Sequence, residues 1–416
     1  MNTSIFENVE SNVRSYCRSF PTVFTKAKGS VMTDENGKEY IDFFAGAGAL
    51  NFGHNPDAMN KAMIAYLESD GIVHSMDMYT VPKRNFLEFF QSNILAPRGM
   101  NYKVQFAGPT GTNAVEAAVK LARKVKGRSN IFALMGAFHG MTLGAVSLTT
   151  DRCSREGAGI PLNNVTHIPA PYMFPELDTI AYMERLITDD HSGVEKPAAI
   201  ILESVQADGG IYAFDVQWLQ RLRQLCDKHD VLLIMDDIQA GIGRCGYFFS
   251  FERAGIIPDM VTISKSIGGC GMPLAMVLFK PELDIWEPGQ HTGTFRGNQL
   301  ALVAGLEGMK NFVENGLDAE VRRKGELVDK FIKEEICPMD SRLSYRGIGL
   351  LWGIDFGAFP GDPVKALVSA CFRNGVIAER VGRDNSVLKM MPALTISDEL
   401  LLEGLRRVKN AIAEIL

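Results

Sequence analysis

Through the middle of the chain, short unbroken apolar runs alternate with stretches whose apolar residues recur at helical spacing. The runs are Asn130-Ile131-Phe132-Ala133-Leu134, Ala198-Ala199-Ile200-Ile201-Leu202, Val231-Leu232-Leu233-Ile234-Met235 and Met260-Val261-Thr262-Ile263. Between the second and third lies Val216-Gln217-Trp218-Leu219-Gln220-Arg221-Leu222-Arg223-Gln224-Leu225, apolar on one helical face. A strand wetted on one side alternates apolar and polar residues, whereas one apolar at every position is covered on both sides. Such strands with amphipathic helices between them predict an α/β fold built on a mainly parallel sheet. From about residue 330 the character changes. Shorter strand candidates at 349–356 and 386–390, and a terminal amphipathic helix from Asp398, predict a smaller α+β domain. The expected division is residues 1–60 as an N-terminal segment joined in space to the small domain, 61–320 as the large domain and 321–416 as the C-terminal small domain.

The 416-residue length supports this division, since one compact core rarely grows so large. Composition removes several function classes. Hydrophobic residues are 46% and charged residues 22%, ordinary for an enzyme. A net charge of -6 without a Lys/Arg run argues against a nucleic-acid partner. No apolar stretch is long enough to span a membrane, and the polar start lacks the basic and apolar regions of a signal peptide. Seven scattered cysteines without CxxC spacing read as free thiols in a reducing cytoplasm. No cluster at ligand spacing suggests a metal.

In a parallel sheet, ligands bind beyond the carboxyl ends of the strands. Two ionisable residues fall there: Asp236, after the 231–235 run, and Lys265, after Ser264 and before Ser266-Ile267-Gly268-Gly269. Burial disfavours the charged form of a lysine and yields a neutral amine that attacks a carbonyl. A carboxylate such as Asp236 can pair with a protonated pyridine nitrogen, although a helix cap would also use one there. Thr110-Gly111-Thr112-Asn113 precedes an alanine-rich helix and offers free N–H groups and a hydroxyl suited to phosphate, or an ordinary cap. Phe138 at a strand end can stack on a flat ring or simply pack, and His139 beside it reads as a satisfied structural histidine. Gly241-Ile242-Gly243-Arg244-Cys245-Gly246 spells GxGxxG. However, Asp236 through Ala240 intervene after the strand and no periodic helix follows, so a dinucleotide site is rejected. His291-Thr292-Gly293-Thr294-Phe295-Arg296-Gly297-Asn298 is a second Thr/Gly loop before a helix beginning near Gln299.

Taken in order, these stations resemble the class III pyridoxal phosphate (PLP) aminotransferases of fold type I over nearly the whole chain. The quoted matches are Thr110 to Glu116, Phe138-His139-Gly140, Asp236 to Gly246, Ser264 to Gly269 and Thr294 to Asn298. The resemblance implies a covalent cofactor linkage and a proton shuttle at Lys265. It implies that Asp236 holds the pyridine nitrogen protonated, that Gln239 bonds the ring oxygen and that Phe138 stacks. It further implies phosphate binding by Gly111 and Thr112, and a contact from Thr294 to the phosphate of the neighbouring subunit in a homodimer or larger homo-oligomer. Within the class, segments 13–21, 42–51 and 105–113 are similar to the diaminobutyrate–2-oxoglutarate branch, above all that of ectoine biosynthesis. The implied reaction moves the amino group of L-glutamate to L-aspartate 4-semialdehyde, giving L-2,4-diaminobutyrate and 2-oxoglutarate.

Two positions depart from the ornithine-type pattern. Asp208 stands where those relatives carry a glutamate, in Glu203-Ser204-Val205-Gln206-Ala207-Asp208, and Lys389 stands where they carry an arginine. An acid and a lysine can still pair, but lysine lacks the bidentate fork that suits a carboxylate. Substrate contacts are therefore expected among Asp208, Lys389, Glu203 and Arg14, with Arg18 and Arg296 as further carboxylate candidates. The other readings are diaminobutyrate supply to siderophore or peptide-antibiotic synthesis, an ornithine- or 4-aminobutyrate-type ω-aminotransferase, an aminomutase on the same fold, and a PLP-binding regulator. The last is expected to carry a basic helix-turn-helix segment, and none is read in this sequence.

Overall fold

The computed structural model describes residues 3–416. Its largest sheet has seven strands, in the spatial order Lys103–Phe106, Met276–Phe279, Met260–Ile263, Leu232–Asp236, Ala199–Leu202, Ile131–Leu134 and Val165–Ile168. The last five run parallel to one another, and Met276–Phe279 is antiparallel to both its neighbours. The four apolar runs lie side by side at the centre of this sheet.

The side chains of those runs divide by parity. Phe132, Leu134, Ile200, Leu202, Leu233, Met235, Val261 and Ile263 enter one core, with Leu219 and Leu222 of the helix Val216–Lys228 and Leu302 and Met309 of the helix Gln299–Glu314. Ile131, Ala133, Ala199, Ile201, Leu232, Ile234 and Met260 enter the other, against Val115, Ala118, Leu121 and Ala122 of the helix Gly111–Lys126. Two covered faces explain why the runs are apolar at every position. Burying one Leu or Ile in this way contributes about 1.5–3 kcal/mol. Ile234→Asp would bury an uncompensated charge and break both the strand and its packing.

A third core gathers Phe20, Tyr40, Ile41 and Phe43 with Val328, Trp352, Leu367, Val376, Leu388, Leu405 and Val408. Its first sheet runs Phe24–Lys28, Val31–Asp34, Glu39–Asp42 and then Val376–Ile377, so the start of the chain is hydrogen-bonded to a strand near its end. Its second runs Ser344–Ile348, Leu351–Asp355, Val387–Met390 and Glu379–Val381, wholly antiparallel. In the last pair Glu379 lies directly opposite Lys389. Among the described residues, no helix is long and apolar enough to cross a membrane.

Candidate active site

Lys265 begins a single turn of 3-10 helix, Lys265–Gly268, at the carboxyl end of Met260–Ile263. Its φ of 53° lies in the left-handed region, which costs a non-glycine residue about 1–3 kcal/mol unless its surroundings hold it there. The flanking serines supply that hold. Ser264 Oγ donates to the Leu274 carbonyl at 2.8 Å. Ser266 Oγ donates to the Gly48 carbonyl at 2.7 Å and accepts from the Asn51 amide at 3.0 Å. Asn51 Oδ1 in turn accepts from the fully buried Arg244 at 2.6 Å, and Arg244 also donates to the carbonyls of Leu350 and Pro392. The Lys265 backbone is thus tied to the glycine loop that sequence reading excluded from dinucleotide binding. The same loop bridges to the third core. Burial lowers the Lys265 pKa, the Asp208 charge opposes that shift and the Lys389 charge reinforces it. The outcome favours a neutral amine.

Asp236 ends its strand with 3% of its surface exposed. One carboxylate oxygen accepts from Thr262 Oγ1 at 3.1 Å and the Ile238 amide at 3.2 Å, and the other lies 2.6 Å from His139 Nδ1. Burial presses the His139 pKa down, but the hydrogen bond and charge of Asp236 outweigh it and the net shift is upward. Its Nε2 is buried with no partner. His139 is therefore not the fully satisfied structural histidine expected from sequence; it is a direct support of Asp236.

The two loops chosen from sequence as phosphate and ring contacts meet. Thr110 caps the helix Gly111–Lys126, its hydroxyl donating to Asn113 Oδ1 at 2.8 Å. Thr112 Oγ1 lies 2.7 Å from Thr142 Oγ1. A Cβ at Gly111 would stand 2.9 Å from Ile238 Cδ1. One at Gly140, where φ is 121°, would stand 2.5 Å from Thr112 Oγ1. Only glycine lets these segments approach so closely. The Phe138 amide donates to Glu203 Oε1 at 3.0 Å, and the Ala207 amide to Glu203 Oε2 at 3.2 Å. Burial raises the Glu203 pKa to about 7 against the opposing His139 charge.

A second group of charges surrounds Lys389, which is 1% exposed. Its Nζ donates to Asp208 Oδ1 at 2.6 Å and to Gln239 Oε1 at 3.1 Å, and lies 2.8 Å from Glu379 Oε1 in an ion pair not aligned as a hydrogen bond. The Gln239 amide donates to the Ala47 carbonyl at 3.2 Å. Burial would lower the Lys389 pKa, but the two carboxylates raise it. Burial raises Asp208, but Lys389 and then Lys265 pull it below the usual range. Glu379 is raised, by burial first and by the Asp208 charge, against the pull of Lys389. Tyr16 is pushed up to about 12 by burial, then by Glu379 and Asp208.

Sequence reasoning missed Glu379, the Tyr16 hydroxyl and the His139–Asp236 contact. The signal for Glu379 was its place on a short strand that pairs across a tight connection with the strand of Lys389. Other candidates lie outside these groups. Arg14 pairs with Glu7 at 3.3 Å and Glu10 at 3.5 Å, Arg18 donates to the Arg14 carbonyl at 2.7 Å, and Arg296 pairs with Asp77. Thr294 is exposed on the surface of the chain.

A buried amine, a buried carboxylate backed by an imidazole, and a glycine-threonine helix start lie together beyond the carboxyl ends of one sheet. The family described as aminotransferase class-III matches residues 14–412, and the chain belongs to it. Its cofactor is pyridoxal phosphate. The chain is 50% identical over 413 residues to the diaminobutyrate–2-oxoglutarate transaminase of Halalkalibacterium halodurans, covering 98% of this chain and 96% of that protein. It is 50% identical over 418 residues to the enzyme of the same name from Streptomyces coelicolor, covering 99% and 98%. The fold is that of the ornithine aminotransferase of Toxoplasma gondii, with a TM-score of 0.87 at 24% identity over 99% of this chain and 94% of that one. A Bacillus anthracis aminotransferase shares it, with a TM-score of 0.87 at 24% identity over 99% and 98%.

Proposed function

We propose that this aminotransferase carries the amino group of L-glutamate to L-aspartate 4-semialdehyde, forming L-2,4-diaminobutyrate and 2-oxoglutarate, with ectoine synthesis as the consuming pathway. The observation that carries this reading is the half-identity, over nearly full length, to relatives bearing the diaminobutyrate–2-oxoglutarate transaminase name.

The residues present fit pyridoxal phosphate. Lys265 makes neither a side-chain hydrogen bond nor an ion pair among the described residues, although burial and several charges act on it. Asp236 is buried and already backed by His139. When bound, the cofactor supplies a carbonyl for amines and an electron sink for the carbon that loses its proton. Lys265 Nζ would hold the cofactor, and the same amine would move the proton at the reacting carbon. The Asp236 carboxylate would keep a pyridine nitrogen protonated, and His139 orients that carboxylate. The amides and hydroxyl at Gly111 and Thr112 hold the phosphate at the positive end of their helix. Phe138 would stack on the ring, and Gln239, fixed by Lys389, would bond the ring oxygen.

The working unit is a homodimer, cytoplasmic, with Thr294 contributed across the interface. The loop bearing Thr294 is joined to the 75–80 segment by Arg296–Asp77, by Gln299 Nε2 to Ser75 Oγ at 2.8 Å and by Thr80 Oγ1 to Gln299 Oε1 at 2.6 Å. These segments expose Val73, Met76, Met78, Tyr79, Val81 and Phe295. Exposed apolar side chains grouped on joined segments in this way support an interface.

The test supplies purified protein with L-glutamate and L-aspartate 4-semialdehyde and measures 2-oxoglutarate and 2,4-diaminobutyrate. Equimolar appearance of both is expected. Glutamate consumption that does not depend on the semialdehyde would refute the reading.

A further inference from the structure

One buried lysine serves two partly buried carboxylates. Lys389 lies 2.6 Å from Asp208 and 2.8 Å from Glu379, and its remaining contact is the neutral Gln239 oxygen at 3.1 Å. Two of its three N–H donors are committed to Asp208 and Gln239 and its charge is shared with Glu379, so Lys389 is not available to receive a substrate carboxylate. The cluster also carries an excess of acid over base. Asp208 takes the aligned hydrogen bond, while Glu379 Oε1 is buried without one. The Glu379 side chain keeps 12% of its surface exposed, so the carboxyl is not sealed off. Its field reaches both Lys265 and the Tyr16 hydroxyl. A carboxylate held in a buried site with half a counter-ion is destabilised until a cation arrives.

The proposed reaction supplies such a cation. When 2,4-diaminobutyrate reacts through its C4 amine, its C2 ammonium lies two carbons from the reacting carbon. When L-glutamate reacts through its C2 amine, its far end carries a carboxylate and no ammonium. We propose that Glu379, set opposite Lys389 across the strand pair, is the specificity residue that receives the C2 ammonium of 2,4-diaminobutyrate or of aspartate 4-semialdehyde. This inference rests on the diaminobutyrate reading above. Asp208 fixes Lys389, Lys389 fixes Gln239, and Glu379 is the acid left over for substrate. A site built around a buried acceptor discriminates strongly against molecules that lack its donor, because the acceptor is then left unpaired.

The test is Glu379→Gln, which keeps the shape and removes the charge, with Glu379→Asp as a second variant that keeps the charge. Each holoenzyme is mixed separately with L-glutamate and with L-2,4-diaminobutyrate, and the two half-reactions are followed by the change in cofactor absorbance. In Glu379→Gln the kcat/KM for diaminobutyrate is expected to fall at least tenfold more than that for glutamate, mainly through KM. Glu379→Asp is expected to recover part of the difference. Equal losses with both amines, or a diaminobutyrate loss that Glu379→Asp does not relieve at all, would overturn the assignment of Glu379 alone. A wild-type protein that reacts with glutamate and not with diaminobutyrate would remove the substrate reading and this inference with it.

Discussion

Replacing Lys389 with methionine keeps the length of the side chain and removes its charge. In the folded protein Asp208 and Glu379 then share a partly buried site without the cation that pairs with both. Removing one partner of a buried ion pair costs about 3–5 kcal/mol, because the charge left behind is uncompensated. With an unfolding entropy of about 2.1 cal/mol/K per residue, a chain of this length loses about 1 °C of Tm per kcal/mol, so Tm should drop by about 3–6 °C. The pH dependence carries the mechanism. Without Lys389 both carboxyls move upward, because burial raises them and only the Lys265 charge still opposes it. The folded state therefore binds more protons than the unfolded state, and stability falls as pH rises through that window. The deficit of Lys389→Met should be largest at pH 8 and shrink towards pH 5. In Asp208→Asn/Glu379→Gln/Lys389→Met most of the loss should be recovered, since no buried charge remains. Scanning calorimetry of the holoenzymes at pH 5, 6.5 and 8 measures all of this. A Lys389→Met deficit below about 1 °C, or one equal at every pH, would refute the claim that this lysine neutralises buried acid.

Four further outcomes follow from the same geometry. Asp236→Asn removes the charge facing the pyridine position and should lower kcat by about 10²–10³-fold, read in the coupled assay. His139→Leu takes one partner from Asp236 and should lower kcat by about tenfold, the loss of one charge-assisted hydrogen bond, with KM little changed. Gly111→Ala brings a Cβ to 2.9 Å from Ile238 and should weaken cofactor retention during dialysis, read as lost visible absorbance. Glu203 has its pKa raised from 4.5 to about 7 by burial, so the folded state holds a proton that the unfolded state releases between those values. That residue lowers stability as pH rises through the window, by about 3 kcal/mol in all, and Glu203→Gln should flatten the Tm-against-pH curve between pH 4.5 and 7.

The unbroken apolar runs placed the central sheet strands and both covered faces, because the requirement they reflect is local to each strand. Lys265 and Asp236 were legible for the same reason: the carboxyl ends of buried strands are where this architecture exposes chemistry. The second charge cluster was only half legible. Asp208 and Lys389 stood out against the ornithine-type pattern, but Glu379 lies on a three-residue strand with no periodicity of its own, and only the antiparallel register sets it against Lys389. His139 was read as structural because its partner is 97 residues away and meets it only when two parallel strands, separated by a third, end on the same edge of the sheet. Arg14 was a carboxylate candidate in sequence, yet Glu7 on the helix Ser4–Val9 and Glu10 just beyond it take its charge.

The central claim is that Lys265 is the amine that binds the cofactor and moves the proton. Its most direct test is borohydride reduction of the purified holoenzyme followed by peptide mapping, beside Lys265→Ala in the glutamate half-reaction. The expected result is a pyridoxyl group on Lys265 alone and no glutamate-driven change of absorbance in the variant. A label on another lysine, or a Lys265→Ala protein with full turnover, would contradict the account.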